Sequence, residues 1–468
     1  MPDPNLWSVA ELTAAYRSRE VSPVEATQAS LDAIEAHDGD VNAFVRVEGE
    51  SALEAARASE KRWAAGEPIG PADGVPTSIK DIFLTRDWPT LRGSALIDEA
   101  GAWTEDAPSV ARLREAGAVF VGKTTTPEFA WKGVTDSLRF GATGNPWAAD
   151  LTAGGSSGGS ATAVGLGMGT WSVGTDGGGS VRIPAAFTGT VAIKPTYGLI
   201  PLYPASPFGT LAHAGPMTRS VTDAATMLDL ITGYDPRDWS AMPTPTGSFL
   251  DGLEDGVEGM RIAYSPNLGF VANDPEVDAA VRAAAAVLAD AGAVVEEVDP
   301  GFDDPVEAFE VLWFTGAAKV IEPYGDDALE RIDPGLRAGV ERGRTMSAGD
   351  YLDATAVRMA LGKRMSEFHE TYDVLLTPTM PIAAFEAGRD APAGSASSAW
   401  TSWTPYTYPF NLTQQPALSV PCGFTSAGLP VGLHVVGPRH ADARVLRVGR
   451  AYERATDWSS AVPTLLQD

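Results

Sequence analysis

Helix and strand signals alternate along this chain from about residue 74 to residue 454 with no low-complexity linker between them. That alternation constrains the fold more than any other feature, and it predicts one α/β domain rather than a string of separate units. A chain of 468 residues can bury a large core without disulfide staples. Its 44 % hydrophobic and 20 % charged content rules out wholesale disorder. Helix alone precedes the alternation. Ser8-Val-Ala-Glu11 and Ser22-Pro23-Val-Glu25 are capping boxes, the second with proline at the first helical position, and another helix is expected over 51–65. With no strand signal before residue 74, these helices are expected to pack outside the main sheet.

Further on, helices are predicted over 109–116, 220–231, 274–291, 347–369 and 441–454. Strands are predicted at 119–121, 261–264, 294–298, 373–377, 416–420 and 433–436, and 388–398 reads as a surface loop. Leu113-Arg-Glu-Ala-Gly-Ala-Val-Phe120 resembles Leu288-Ala-Asp-Ala-Gly-Ala-Val-Val295, which fits an internal repeat or, more simply, two ordinary helix-to-strand joins. Residues 141–198 are rich in glycine and serine and show no amphipathic helix.

The net charge of −27 weighs against nucleic acid as a partner. A single cysteine, Cys422, excludes an intramolecular disulfide and a cysteine-based zinc site. The start, Met1-Pro-Asp-Pro-Asn5, has neither the basic nor the apolar region of a signal peptide. The weakly polar stretch 161–174 is interrupted by glycines and too short to span a bilayer. A cytoplasmic protein without membrane or nucleic-acid partners is expected; a homodimer is compatible with such a chain.

Three features can carry chemistry. Gly154-Gly-Ser156-Ser157-Gly-Gly159-Ser160 is a flexible turn, or a nucleophile elbow, since Gly155-Ser-Ser157-Gly-Gly159 fits G-x-S-x-G. It is no Walker phosphate cradle, because Ser160-Ala161 stands where Lys-Ser/Thr is needed. The elbow needs a later histidine from among His213, His369, His434 and His440, and His440 reads better as a surface residue capping the last helix. In Gly174-Thr-Asp176-Gly-Gly-Gly-Ser180-Val-Arg182, three glycines before a serine make either a tight turn or a nest of N–H groups for an oxyanion, with a helix starting after Ser180. Lys80, one of seven lysines against twenty-seven arginines, follows a buried strand; a lysine there usually reaches solvent, but a desolvated one loses its proton easily and can act as a base.

In the order Lys80, Ser156, Ser180, the sequence resembles the amidase signature family. The resemblance rests on Gly74-Val-Pro-Thr-Ser-Ile-Lys80-Asp, the two Gly/Ser segments, Ile193-Lys-Pro-Thr-Tyr-Gly198, Gly215-Pro-Met-Thr-Arg219 with Asp223, and Asn411-Leu412 through Pro421 to Gly432. It implies an α/β fold with a mixed β-sheet covered by helices on both faces. Within it, 1–66 would be N-terminal helices, 67–240 the catalytic core, 241–400 a helical variable region, and 401–468 the C-terminal part of the core and pocket. It also implies a cofactor-free, metal-free Ser–cis-Ser–Lys triad. Ser180 would be the nucleophile, Ser156 a proton relay on a cis peptide, and neutral Lys80 the base. The N–H groups of Gly177, Gly178, Gly179 and Ser180 would form the oxyanion hole, with Ser157, Asp176 and Arg182 holding the glycine turn.

In the family's transfer-RNA amidotransferases, the glutaminase has an acid shortly before Asn-Leu that holds the glutamine amino group. Here 403–412 has none, and Thr404 falls near that place. Trp400, Trp403, Tyr406 and Tyr408, with Phe129 and Trp131, are either an aromatic pocket or plain core. The expected substrate is a small apolar or aryl amide or a carbamate, with esters also cleaved. The alternatives are a glutaminase subunit of an amidotransferase, an α/β-hydrolase esterase using Ser157, and a non-catalytic anion-binding protein.

Overall fold

The structure, a computed structural model, describes residues 4–467. Its centre is an eleven-stranded mixed sheet. In chain order the strands are β1 (Phe44–Val47), β2 (Pro76–Lys80), β3 (Val119–Thr124), β4 (Trp171–Asp176), β5 (Val191–Lys194), β6 (His213–Thr218), β7 (Arg261–Tyr264), β8 (Val294–Glu297), β9 (Val374–Pro378), β10 (Ala417–Phe424) and β11 (Pro430–Val436). They lie side by side in the order β1-β3-β2-β4-β6-β5-β10-β11-β9-β7-β8. β2 runs parallel to both β3 and β4, and β7 parallel to β8 and β9, while the middle of the sheet is antiparallel.

Helices cover both faces, as the period of the strands requires. Ile262 and Tyr264 of β7 point into one apolar cluster and Ala263 into the other; Val374 and Leu376 of β9 divide from Leu375 in the same way. The first cluster is closed by α1 (Val9–Ser18), α4 (Pro108–Glu115), α7 (Val221–Ile231), α8 (Pro275–Asp290) and α13 (Asp442–Arg454). The second is closed by α9 (Val306–Ile321), α10 (Pro334–Thr345) and α11 (Ala348–Phe368). The sequence did not mark α9 or α10. No helix among the described residues is long and apolar enough to cross a membrane.

The predicted capping boxes form at Ser8 and Ser22, and Ser347 closes a third at the start of the long helix. The expectation that the N-terminal helices lie outside the sheet is corrected. Between α2 (Pro23–Val41) and α3 (Gly49–Ala65) runs β1, the sheet's edge strand, and the two helices pack with Val119 and Val121 of β3 in an apolar cluster of their own. Four residues with only Phe44 buried leave too short an alternation to read as a strand.

Two short helices emerge from the Gly/Ser region, α5 (Gly158–Gly165) and α6 (Arg182–Thr188), and every residue of both is buried. A helix buried all round has no polar face, so it carries no amphipathic signal. Small residues are required for α5: a Cβ at Gly158 would lie 2.5 Å from the Thr135 hydroxyl, and one at Gly159 would strike Thr125 and the Ala43 carbonyl.

Candidate active site

The C-terminal end of β2 delivers Lys80 into the protein rather than to solvent. Its side chain is fully buried, with Nζ 2.7 Å from Ser156 Oγ, 2.9 Å from Ser157 Oγ and 2.7 Å from Thr175 Oγ1. Burial pushes its pKa well below the usual lysine value, and the Asp176 charge only partly opposes this. Three hydroxyl neighbours suit a neutral amine, which has two N–H donors and one lone pair. Thr175 was not anticipated; its only signal was a hydroxyl one residue before Asp176.

Ser156 lies on the segment entering α5, after a cis Gly155–Ser156 peptide, and Ser157 is the residue before that helix. Ser157 is fully buried, its Oγ donating to the Thr175 carbonyl at 3.1 Å, and its N–H donates to the Ser180 carbonyl at 3.1 Å. A hydroxyl so enclosed is not presented as an elbow nucleophile. His440 is exposed on the turn before α13, and His434 bonds Arg182.

β4 ends at Asp176, and the glycine turn leads from it to Ser180. Asp176 Oδ1 accepts from the N–H of Gly179 at 2.8 Å, from Arg182 Nη2 at 3.0 Å and from Asn411 Nδ2 at 2.8 Å; Oδ2 accepts from Arg182 Nε at 2.9 Å. Burial would raise this carboxyl, but the Arg182 charge and hydrogen bonds dominate and hold it well below the ordinary range. Arg182, fully buried, also reaches Asn411 Oδ1 at 2.7 Å and His434 Nε2 at 3.1 Å. Burial beside Arg182 keeps His434 neutral.

The turn admits no side chains. A Cβ at Gly177 would come 2.7 Å from Trp313, one at Gly178 2.7 Å from both Phe309 and Trp400, and Gly179 has φ +134° with Thr407 Oγ1 2.5 Å from the Cβ position. Because the Gly179 N–H is engaged by Asp176, Gly179 leaves the expected set of oxyanion donors; the N–H groups of Gly177, Gly178 and Ser180 have no acceptor among the described residues.

Ser156, Thr175, Gly177 and Ser180 face one cavity of about 150 Å³. Its wall is mostly apolar, built by Ile82, Phe83, Phe129, Leu202, Tyr203, Phe208, Trp313 and Val320, with Arg92 among them and no carboxylate. Of the six aromatic residues expected there, only Phe129 lines it. Trp131, Trp400, Trp403, Tyr406 and Tyr408 are core: Trp403 stacks on Phe187, Tyr408 stacks on Phe309 and donates to Asp304, and Tyr406 donates to the Pro266 carbonyl. Trp131 offers its carbonyl to Trp313 Nε1. The run from 400 to 410 thus backs the glycine turn, while the true wall comes from 202–208 and α9, where single aromatic residues in a loop and a helix gave no pattern.

The chain matches the Amidase family over residues 25–446. It is 36 % identical over 472 residues to an acylamidase of Rhodococcus erythropolis, covering 99 % of this chain and 98 % of that protein. It is 38 % identical over 483 residues to one subunit of the glutamyl-tRNA(Gln) amidotransferase of Myxococcus xanthus (strain DK1622), covering 96 % of this chain and 97 % of that protein. A bacterial aryl acylamidase of the amidase signature enzymes superposes with a TM-score of 0.90 at 31 % identity, covering 97 % of each chain. 6-Aminohexanoate cyclic dimer hydrolase follows at 0.89 and 28 % identity, covering 99 % of each. Agreement of this extent in sequence and architecture makes the chain a member of the amidase signature family, whose hydrolases act on carbon–nitrogen bonds.

Proposed function

We propose that this protein hydrolyses a small aryl or apolar amide, or the corresponding carbamate, through an acyl-enzyme on Ser180. The observation that carries the reading is a fully buried Lys80 amine 2.7 Å from the hydroxyl of Ser156, which lines the same cavity as Ser180. A serine hydroxyl needs an adjacent base to become a nucleophile. Lys80 accepts the proton of Ser156 as Ser156 accepts that of Ser180, whose Oγ attacks the substrate carbonyl. The N–H groups of Gly177, Gly178 and Ser180 stabilise the oxyanion, and Asp176 holds the turn that aims them. The proton returns by the same route to the departing amine, and water then releases the acid. From a carbamate the end products are alcohol, amine and carbon dioxide. Esters follow the same course with an easier leaving group.

The amidotransferase reading, favoured by relatives such as the Myxococcus xanthus protein, requires a group to hold the ammonium of glutamine. The cavity wall offers the Arg92 cation and no carboxylate, and Thr404 is buried against the Trp400 carbonyl. The test is a comparison of kcat/KM for an acylated 4-nitroaniline, its carbamate counterpart and glutamine. Preference for the nitroanilide or carbamate is expected. Glutamine as the best substrate would overturn the reading, and a fluorophosphonate label mapped to Ser157 instead of Ser180 would overturn the triad.

A further inference from the structure

Among the described residues, Arg92 is the only charged one on the cavity wall, and its backbone is firmly placed. Its backbone N–H donates to the Asp81 carbonyl at 3.1 Å and its carbonyl accepts from Phe129 N–H at 2.7 Å, with the backbone in the left-handed region at φ 53°. A buried ion pair fixes the segment leading to it. Asp81 Oδ1 lies 3.0 Å from Lys123 Nζ and accepts the Leu91 N–H at 3.1 Å. Lys123 in turn donates to the Phe83 and Pro89 carbonyls, each at 3.1 Å, and to Thr90 Oγ1 at 2.6 Å.

Arg92 is half-buried, its backbone is held in this way, and its guanidinium has no acceptor of its own among the described residues. Asp81, whose backbone carbonyl meets the Arg92 N–H, has its carboxylate engaged by Lys123, and no carboxylate or carbonyl among the described residues takes a guanidinium N–H of Arg92. Arg139, by contrast, reaches the Ser94 and Ile97 carbonyls and Glu99, and Arg182 reaches Asp176, Asn411 and His434. A partly desolvated cation facing an apolar cavity gains most from a planar anion, which its fork of donors fits in bidentate fashion.

We propose that Arg92 binds a carboxylate on the substrate, so that the preferred substrate is an aryl amide or carbamate bearing a carboxylate away from the scissile bond. This rests on the amide reading above for the reaction, but not for the binding. Hydrolysis of N-acetyl-4-aminobenzoate and its primary carboxamide analogue is measured for wild type, Arg92→Met and Arg92→Lys. The quantity read is the ratio of the two kcat/KM values within each protein, so a general loss cancels. The wild-type ratio is expected to favour the carboxylate by about tenfold or more, to fall to near one in Arg92→Met and to recover in part in Arg92→Lys. A wild-type preference for the neutral analogue, or a ratio unmoved by Arg92→Met, would overturn the proposal. Titration calorimetry with benzoate and benzamide supplies a readout independent of hydrolysis. Tighter benzoate binding in wild type, lost in Arg92→Met, supports the site even if neither amide is cleaved, in which case the amide reading fails alone. Equal binding of the two ligands refutes the site.

Discussion

The hydroxyl of Thr407 donates to the carbonyl of Gly178 at 2.6 Å, joining the C-terminal part of the chain to the middle of the glycine turn. Replacing Thr407 by valine keeps the volume and removes the donor, leaving a buried carbonyl unsatisfied at a cost of about 1–3 kcal/mol. The expected outcome is a tenfold or greater fall in kcat with a smaller change in KM, because the turn would aim its N–H groups less well at the oxyanion. Steady-state kinetics on a nitroanilide check this; an unchanged kcat in folded Thr407→Val would mean that the turn holds itself.

Lys80 gives a pH dependence with a definite sign. Its pKa is lowered by burial, so the amine is neutral and able to accept a proton above that lowered value. As pH falls through it, the amine protonates and kcat/KM should decline. Lys80→Arg should be inactive at every pH, because a guanidinium stays protonated. Substantial amidase activity in that variant would reduce Lys80 to a positive charge in the site.

Arg182 and Asp176 test the network behind the turn. Arg182→Met strands a fully buried carboxylate, and removing one partner of a buried pair costs about 3–5 kcal/mol. Lysine at 182 should rescue poorly, since one ammonium cannot meet Asp176, Asn411 and His434 with the same geometry. Denaturant unfolding measures both variants.

The two sets of aromatic residues should separate cleanly. Phe208 stacks on Trp313 with ring centroids 3.9 Å apart, and both line the cavity. Phe208→Ala should raise KM for an aryl amide severalfold more than for acetamide. Trp403→Ala, away from the cavity, should instead lower stability by about 3–5 kcal/mol with little change in that selectivity.

Most strands and all the serine-capped helices were legible because period and caps are local signals. Ser156 and Ser180 lie in two conspicuous Gly/Ser segments, but each segment also reads as a plain turn, and Lys80 joined them only through the resemblance to the amidase signature family. What escaped depended on distant packing. β1 shows little alternation until it lies against β3. The mostly buried α9 lacks a strong polar face. Trp313 and Phe208 belong to the wall only because α9 and the 202–208 loop meet over Ser180. In the most conspicuous aromatic run, Trp400 packs behind Gly178 and Trp403 against Phe187 and Phe385, and neither lines the cavity.

The order of the sheet has a consequence for how the molecule is made. β10 and β11 lie between β5 and β9, so the last pair of strands to leave the ribosome joins the two earlier blocks. Until β10 has emerged β5 presents an unpaired edge, and until β11 has emerged so does β9; such edges invite association with other chains. A nascent or prematurely terminated product ending after β9 but before Thr407 would hold all three of Lys80, Ser156 and Ser180, yet lack Thr407 and Asn411 and expose two adhesive strands. The glycine turn thus gains its hydrogen bonds from Thr407 and Asn411 only after the segment beyond β9 has been made.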